Sequence, residues 1–322
     1  MSTANLWCGG VLSGVICCCG LSTAVAEVGA PLAVTQQVGI VLERMANALH
    51  TLNYEGTLVY LHDNQLETLS LLHRVFQGQV QERLISLSGS VRAVAREGER
   101  VLYAPPDGQA LALESPGSGH ILATEGIDPA ALGMHYVIRL LGTARIAGRD
   151  TDVIGIIPRD ALRYGYRFHI DRETALPLKS DLIDQQERPL EQLLFTNISL
   201  LPNDGSTPTP AAHSLRTAPV TEPSSRWRFS AVPPGFQLVM HRTLPQADGG
   251  VTEQFLFTDR LCAYSVYVED ASAEGLDGSA NIGAVHAFGR VSAGQRLTAI
   301  GEVPAATVAA AVAGARTTGG TE

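Results

Sequence analysis

From Gly56 to Leu200 the chain reads as one β-rich run after another, and no helical repeat separates them. The runs 57–62, 66–75, 80–87 and 91–96 are punctuated by Asp63-Asn64, Gln77-Gly78 and Ser88-Gly89, residue pairs suited to tight turns. Runs at 99–103 and 110–113 flank Pro105-Pro106-Asp107-Gly108, where Pro presets φ and Gly tolerates a positive one. Further strands are expected at 143–147, 153–158, 163–171, 178–184 and 190–200. The clearest is 163–171, which places Tyr164, Tyr166, Phe168 and Ile170 on one face and Arg163, Arg167, His169 and Asp171 on the other. The lack of βαβ alternation argues against a doubly wound parallel sheet and for a large, curved antiparallel one.

One helix is expected in this region, over 33–50, where Val38, Val41, Leu42, Met45 and Leu49 recur at helical spacing. A single helix cannot cover a sheet of about ten strands. The rest of the apolar face is either buried against another domain or a second copy of the chain, or left as a concave half-barrel for an acyl chain or lipidated peptide.

Residues 201–224 carry Pro202, Asp204, Gly205, Ser206, Pro208, Pro210, Pro219 and Pro223, and read as a linker. Beyond it a smaller α+β domain spans 225–316, with strands at 226–230, 236–242, 251–258, 261–269, 282–288 and 295–303. Its terminal helix is expected to hold Pro304 in the first turn and to stop at Gly314; 317–322 reads as a frayed tail. The fold class is therefore mainly β (α+β): a large unclosed antiparallel barrel with helices over 27–200, then the smaller α+β domain.

The first 26 residues lack any charge, run apolar from Leu6 to Val25 and end on Ala24-Val25-Ala26, a small-x-small cleavage pattern. An export signal cleaved after Ala26 is expected, although no Lys or Arg precedes Arg44. A membrane anchor is disfavoured by the Gly, Ser and Cys content of the stretch and its lack of flanking charge. The residues before Cys17, Cys18 and Cys19 do not suit a lipoprotein signal. Cleavage would leave Cys262 as the sole cysteine, so no intramolecular disulfide is expected. A formal charge of −9, with neither half basic, argues against nucleic acid or an anionic membrane surface as partner.

The chain has no G-x-S-x-G, H-E-x-x-H, G-x-G-x-x-G or P-loop, and nine histidines lie scattered. No catalytic residue, cofactor or metal is expected. His62-Asp63 reads as a solvated turn and Cys262 as a small core residue, since reactive thiols need exposure and positive neighbours. Trp227, between Arg226 and Arg228, is either a core anchor or part of an aromatic and cationic binding surface.

Several stretches resemble the MucB/RseB family. In the large domain these are Leu52-Asn53-Tyr54-Glu55-Gly56-Thr57, Gly142-Thr143-Ala144-Arg145-Ile146-Ala147-Gly148-Arg149, Arg163-Tyr164-Gly165-Tyr166-Arg167, Asp171-Arg172-Glu173-Thr174 and Leu176-Pro177-Leu178-Lys179-Ser180-Asp181-Leu182. The small domain adds Val232-Pro233-Pro234-Gly235-Phe236, Gly283-Ala284-Val285-His286-Ala287-Phe288-Gly289-Arg290 and Gly301-Glu302-Val303-Pro304. Asp259-Arg260 stands where the family pattern has Asp-Gly, and Cys262 is a departure.

The resemblance implies an N-terminal domain similar to the lipoprotein carriers LolA and LolB. It implies a C-terminal domain that, with the interdomain cleft, binds the periplasmic region of a membrane-spanning anti-sigma factor of the RseA/MucA type. That contact shields the anti-sigma factor from a site-1 protease, and lipopolysaccharide or another lipid displaces the regulator. On this reading Tyr164, Tyr166, Phe168 and Ile170 are the lipid-facing candidates, and Arg226, Trp227, Arg228, His241 and Arg242 the partner-facing ones. A homodimer is a further expectation left open. The alternatives are a periplasmic lipid or lipoprotein carrier without a regulatory partner, against which the second domain argues, and an exported hydrolase, for which no motif speaks.

Overall fold

The computed structural model describes residues 30–76, 79–88, 93–97, 100–104, 111–114, 132–202, 225–246, 249–271 and 275–318. The expected export segment, the turns at Gln77-Gly78 and Pro105-Pro106-Asp107-Gly108, and residues 203–224 of the linker lie outside the described residues.

Eleven strands form one antiparallel sheet: β1 (Asn53–His62), β2 (Gln65–Phe76), β3 (Gln79–Ser86), β4 (Ala93–Glu97), β5 (Arg100–Ala104), β6 (Leu111–Glu114), β7 (Tyr136–Ile146), β8 (Arg149–Pro158), β9 (Gly165–Asp171), β10 (Pro177–Ile183) and β11 (Pro189–Leu201). The order is β6-β5-β4-β3-β2-β1-β11-β10-β9-β8-β7, so every neighbour is a sequential hairpin except β1 and β11. Those two pair from Asn53 opposite Leu201 to His62 opposite Glu191, which fuses two meanders into one sheet. The outer strands β6 and β7 are not paired to each other, and the barrel stays open.

Turn chemistry sets the register. Asp63 and Asn64 have φ of 44° and 58°, and Ala147 and Gly148 have 47° and 76°. Two positive values in a two-residue loop match the twist of the flanking strands.

Helix α1 (Ala30–Thr51) starts before the expected position 33 and ends one residue later than expected. Its stripe of Val38, Leu42, Met45 and Leu49 is buried against Tyr54, Leu58, Ile154, Phe168 and Phe195 of the sheet. No helix among the described residues is long and apolar enough to cross a membrane.

The second domain holds β12 (Trp227–Phe229), β13 (Gln237–Pro245), β14 (Val251–Thr258), β15 (Ala263–Asp270), β16 (Gly278–Ile282), β17 (Val285–Ser292), β18 (Gln295–Gly301), α2 (Ala305–Ala313) and β19 (Ala315–Thr317). Six of the strands form a sheet of order β13-β14-β15-β18-β17-β16, while β12 pairs with β19. Two expectations are corrected here. Pro304 is the N-cap of α2, with ψ of 147°, and not a first-turn residue. Of the tail expected from 317, Thr317 closes β19 and the Thr318 N–H donates to the Arg226 carbonyl, because β19 brings the chain back beside the domain's entry strand. Gly314 ends α2 with φ of −84°; a Cβ there would meet the Ala231 nitrogen at 2.5 Å, so close backbone approach dictates the glycine.

Candidate functional site

The two domains meet over β9 and the loop before it. Tyr164 and Leu182 of the large domain belong to the small domain's apolar core, beside Phe236, Cys262, Tyr264 and Val303. Arg163 was expected on the polar face of its strand. It lies just ahead of β9 and is buried, because the second domain supplies its partners. Its guanidinium pairs with Asp160 at 3.0 Å and with Asp259 at 2.6 Å, and donates to the Pro234 carbonyl at 2.5 Å. The rings of Tyr136 and Phe236 lie 5.7 and 5.1 Å from it. Burial works to lower the Arg163 pKa, but hydrogen bonds to Asp160 and the charge of Asp259 outweigh it, and the group stays cationic. Asp171, also expected on the polar face, is buried against Arg149 and Thr174.

Asp259 accepts from Tyr136 Oη at 2.7 Å and from the backbone N–H of Leu261 and Cys262 at 3.0 and 2.7 Å. The Cys262 thiol sits in this buried node and contacts the Tyr164 carbonyl at 3.3 Å. Burial, then the charge of Asp259, pushes the thiol up to about 12, so it remains protonated and unreactive at neutral pH. A cleft of about 510 Å³ opens beside the junction, bounded by Asp63, Tyr164, Asp184, Arg188, His286 and Pro304.

The four lipid-facing candidates share the predicted face, but two covers divide it. Phe168 and Ile170 are buried in the large domain's core. Tyr166 stacks on Phe168 with centroids 5.4 Å apart and donates to Glu302 of the small domain at 3.1 Å. Tyr164 lies beneath the small domain, its hydroxyl 3.4 Å from His286 Nδ1.

Of the partner-facing candidates, Trp227, Arg228 and His241 line one aromatic groove of about 370 Å³ with Phe229, Leu238 and Phe255. Trp227 is only 2% exposed and donates from Nε1 to Gln295 at 2.9 Å, so it forms the groove's floor and a core anchor at once. His241 stacks on Phe255 at 4.2 Å and lies 2.9 Å from Glu253. Arg242 points to the opposite face of β13, where it bonds Gln254 at 2.8 Å, and Arg226 lies exposed outside the groove. The sequence reading missed Phe255 and Phe257. Their alternation along β14 was visible, but their facing β13 was not. Among the described residues no cluster of His, Cys, Asp and Glu is placed to hold a metal.

Comparison with known proteins bears on both domains. The family model described as MucB/RseB N-terminal domain matches residues 37–218, and that described as MucB/RseB C-terminal domain matches 221–316. The sigma factor AlgU regulatory protein MucB of Pseudomonas aeruginosa is 31% identical over 284 residues, covering 83% of this chain and 86% of that protein. The sigma-E factor regulatory protein RseB of Escherichia coli K12 is 27% identical over 280 residues, covering 84% and 87%. The solved Pseudomonas aeruginosa MucA/MucB complex contains a chain that superposes with a TM-score of 0.68 at 28% identity, over 88% of this chain and 100% of that one.

Proposed function

Because this chain belongs to the MucB/RseB family over both of its domains, we propose that it is a periplasmic sigma-factor regulatory protein that binds the periplasmic region of a membrane-spanning anti-sigma factor. The observation that carries this reading is the in-order match of both domain models, since a carrier without a regulatory partner has no use for the second domain. The relative MucB has been solved in complex with the periplasmic part of MucA.

Binding, with no chemistry on either partner, is the whole mechanism. The bound anti-sigma segment is withheld from the site-1 protease, and a lipid or lipopolysaccharide signal releases it. The aromatic groove of β12, β13 and β14 supports a role as the partner's seat, with Arg228 at its rim. Burial of Tyr164 and Tyr166 under the small domain supports a coupling between lipid and closure. A lipid reaching that face must displace the small domain, so lipid and the closed junction compete for one surface. The reading includes export to the periplasm, with the leader removed after Ala26.

Calorimetric titration of residues 27–322 with the periplasmic segment of the anti-sigma factor, with and without lipopolysaccharide, tests the proposal. Tight binding weakened by the lipid bears it out. Absence of binding overturns it in favour of the lipid carrier.

A further inference from the structure

Two carboxylates lie near enough across the domain junction for the charge of one to act on the other. Glu191 projects from β11 of the large domain, and Glu302 lies between β18 and α2 of the small one. Tyrosines of the large domain reach both: Tyr60 Oη donates to Glu191, and Tyr166 Oη donates to Glu302 at 3.1 Å. Glu191 also accepts the backbone N–H of Ala284 in the small domain at 3.4 Å, so each carboxylate makes a bond to the opposite domain.

We propose that this Glu191–Glu302 pair is a proton-operated latch: a proton on Glu302 holds the domain junction shut, and its loss beside the Glu191 carboxylate loosens it. The inference is independent of which partner or lipid the protein binds.

Three influences act on Glu302. Burial is the largest and the charge of Glu191 the second; together they raise its pKa from 4.5 to about 7, against the opposing hydrogen bond from Tyr166. The other titratable groups around the pair are Tyr60 of β1, Tyr164 just ahead of β9, the Cys262 thiol ahead of β15, and His286 of β17. His286 Nδ1 lies 3.0 Å from the Val303 carbonyl. Glu67 and Asp184 add negative charge around Tyr60 and Tyr164.

The sign follows from linkage. The closed form holds a proton at a pH where an exposed glutamate has lost its own. Closure therefore strengthens as pH falls from about 7 toward 4.5 and weakens as pH rises through 7. The full change in the closing equilibrium is on the order of 100-fold.

The test uses the full chain with Cys8, Cys17, Cys18 and Cys19 replaced by serine and carrying Leu66→Cys and Val251→Cys, exposed positions in the two domains, spin-labelled for interdomain distance measurement from about pH 5 to about pH 9. Cys262 is buried and escapes labelling. The closed population should fall as pH rises from about 5 to about 7 and stay level above that. Glu302→Gln should keep it high throughout. Glu191→Gln should move the transition to lower pH, because it removes the repelling charge. Tyr166→Phe should move it higher, because it removes the bond that favours the ionised form. Opposite shifts from two junction substitutions are not what simple loosening produces. A distance distribution unchanged over this range, or a Glu302→Gln variant that follows the parent's profile, overturns the proposal.

Discussion

Arg163 and Asp259 meet across the domain junction at 2.6 Å, with both side chains closed off from water. Arg163 comes from the loop ahead of β9 and Asp259 from the turn between β14 and β15. Tyr136, Pro234 and two backbone N–H groups complete their hydrogen bonds. A sliding apolar interface would tolerate many alignments of the two domains. This ion pair admits one, because any displacement strands a buried charge.

Arg163→Met should therefore cost about 3–5 kcal/mol in urea unfolding, since it leaves Asp259 charged, buried and without its cation. The double substitution Arg163→Met, Asp259→Asn should recover part of that loss, because asparagine removes the buried charge and keeps an oxygen for Tyr136 or the two backbone N–H groups. If the single and double variants are equally unstable, the pair is not the source of the junction's alignment.

Arg260 occupies the left-handed region, with φ of +80°, in the turn where the family resemblance leads one to expect glycine. Its side chain is exposed, while its backbone N–H donates to Thr258 Oγ1. Arg260→Gly should raise stability by about 1 kcal/mol: relief of the strain exceeds the added freedom of the unfolded chain. A lower denaturation midpoint would show that the arginine side chain contributes more than the backbone loses.

The groove separates into floor and rim. Trp227→Ala should destabilise the small domain by about 3–5 kcal/mol, which makes it useless as a binding probe. Arg228→Ala and Leu238→Ala change exposed or half-exposed atoms and should each weaken anti-sigma binding about tenfold or more, with thermal midpoints nearly unchanged. Full affinity in both variants would move the partner's seat to the interdomain cleft.

His73 stacks on Tyr54 at 4.6 Å, with Nδ1 3.0 Å from the Leu52 carbonyl. Burial lowers its pKa from 6.5 to about 4. The folded state thus binds fewer protons than the unfolded one, and this contribution to stability is present above pH 6.5 and lost as pH falls toward 4. In a Glu302→Gln background, free of the opposing junction titration, His73 should contribute a fall of up to about 1.4 kcal/mol per pH unit in that window, beside a like contribution from His169, which burial also lowers to about 4. His73→Gln should roughly halve the slope. An unchanged slope would assign acid sensitivity to other groups.

The sheet was legible where side chains repeat with period two or where turn residues mark hairpins. Tyr164, Tyr166, Phe168 and Ile170 share the face their spacing predicted, and Asp63-Asn64 turns where its residue types predicted. The helix stripe of Val38, Leu42, Met45 and Leu49 was equally plain. Residues whose surroundings come from distant parts of the chain were not legible. Arg163 looks like a solvent-facing charge in its own strand, and Asp259, 96 positions away, together with the Pro234 carbonyl makes it a core residue. Phe255 and Phe257 became groove residues through pairing with β13, and Arg242 left the groove because β13 turns it away.

Local pattern by itself determined the mainly β class, the hairpins marked by turn residues and the amphipathic stripe of α1. Those properties depend on torsional preference and burial period, which neighbouring residues carry. Tertiary structure alone decided which part of the apolar face each cover takes and that Glu191 meets Glu302. It also decided that Cys262 lies sealed in the junction. Those outcomes turn on desolvation and on charges brought together from opposite ends of the chain, quantities that exist only once the two domains have closed on each other.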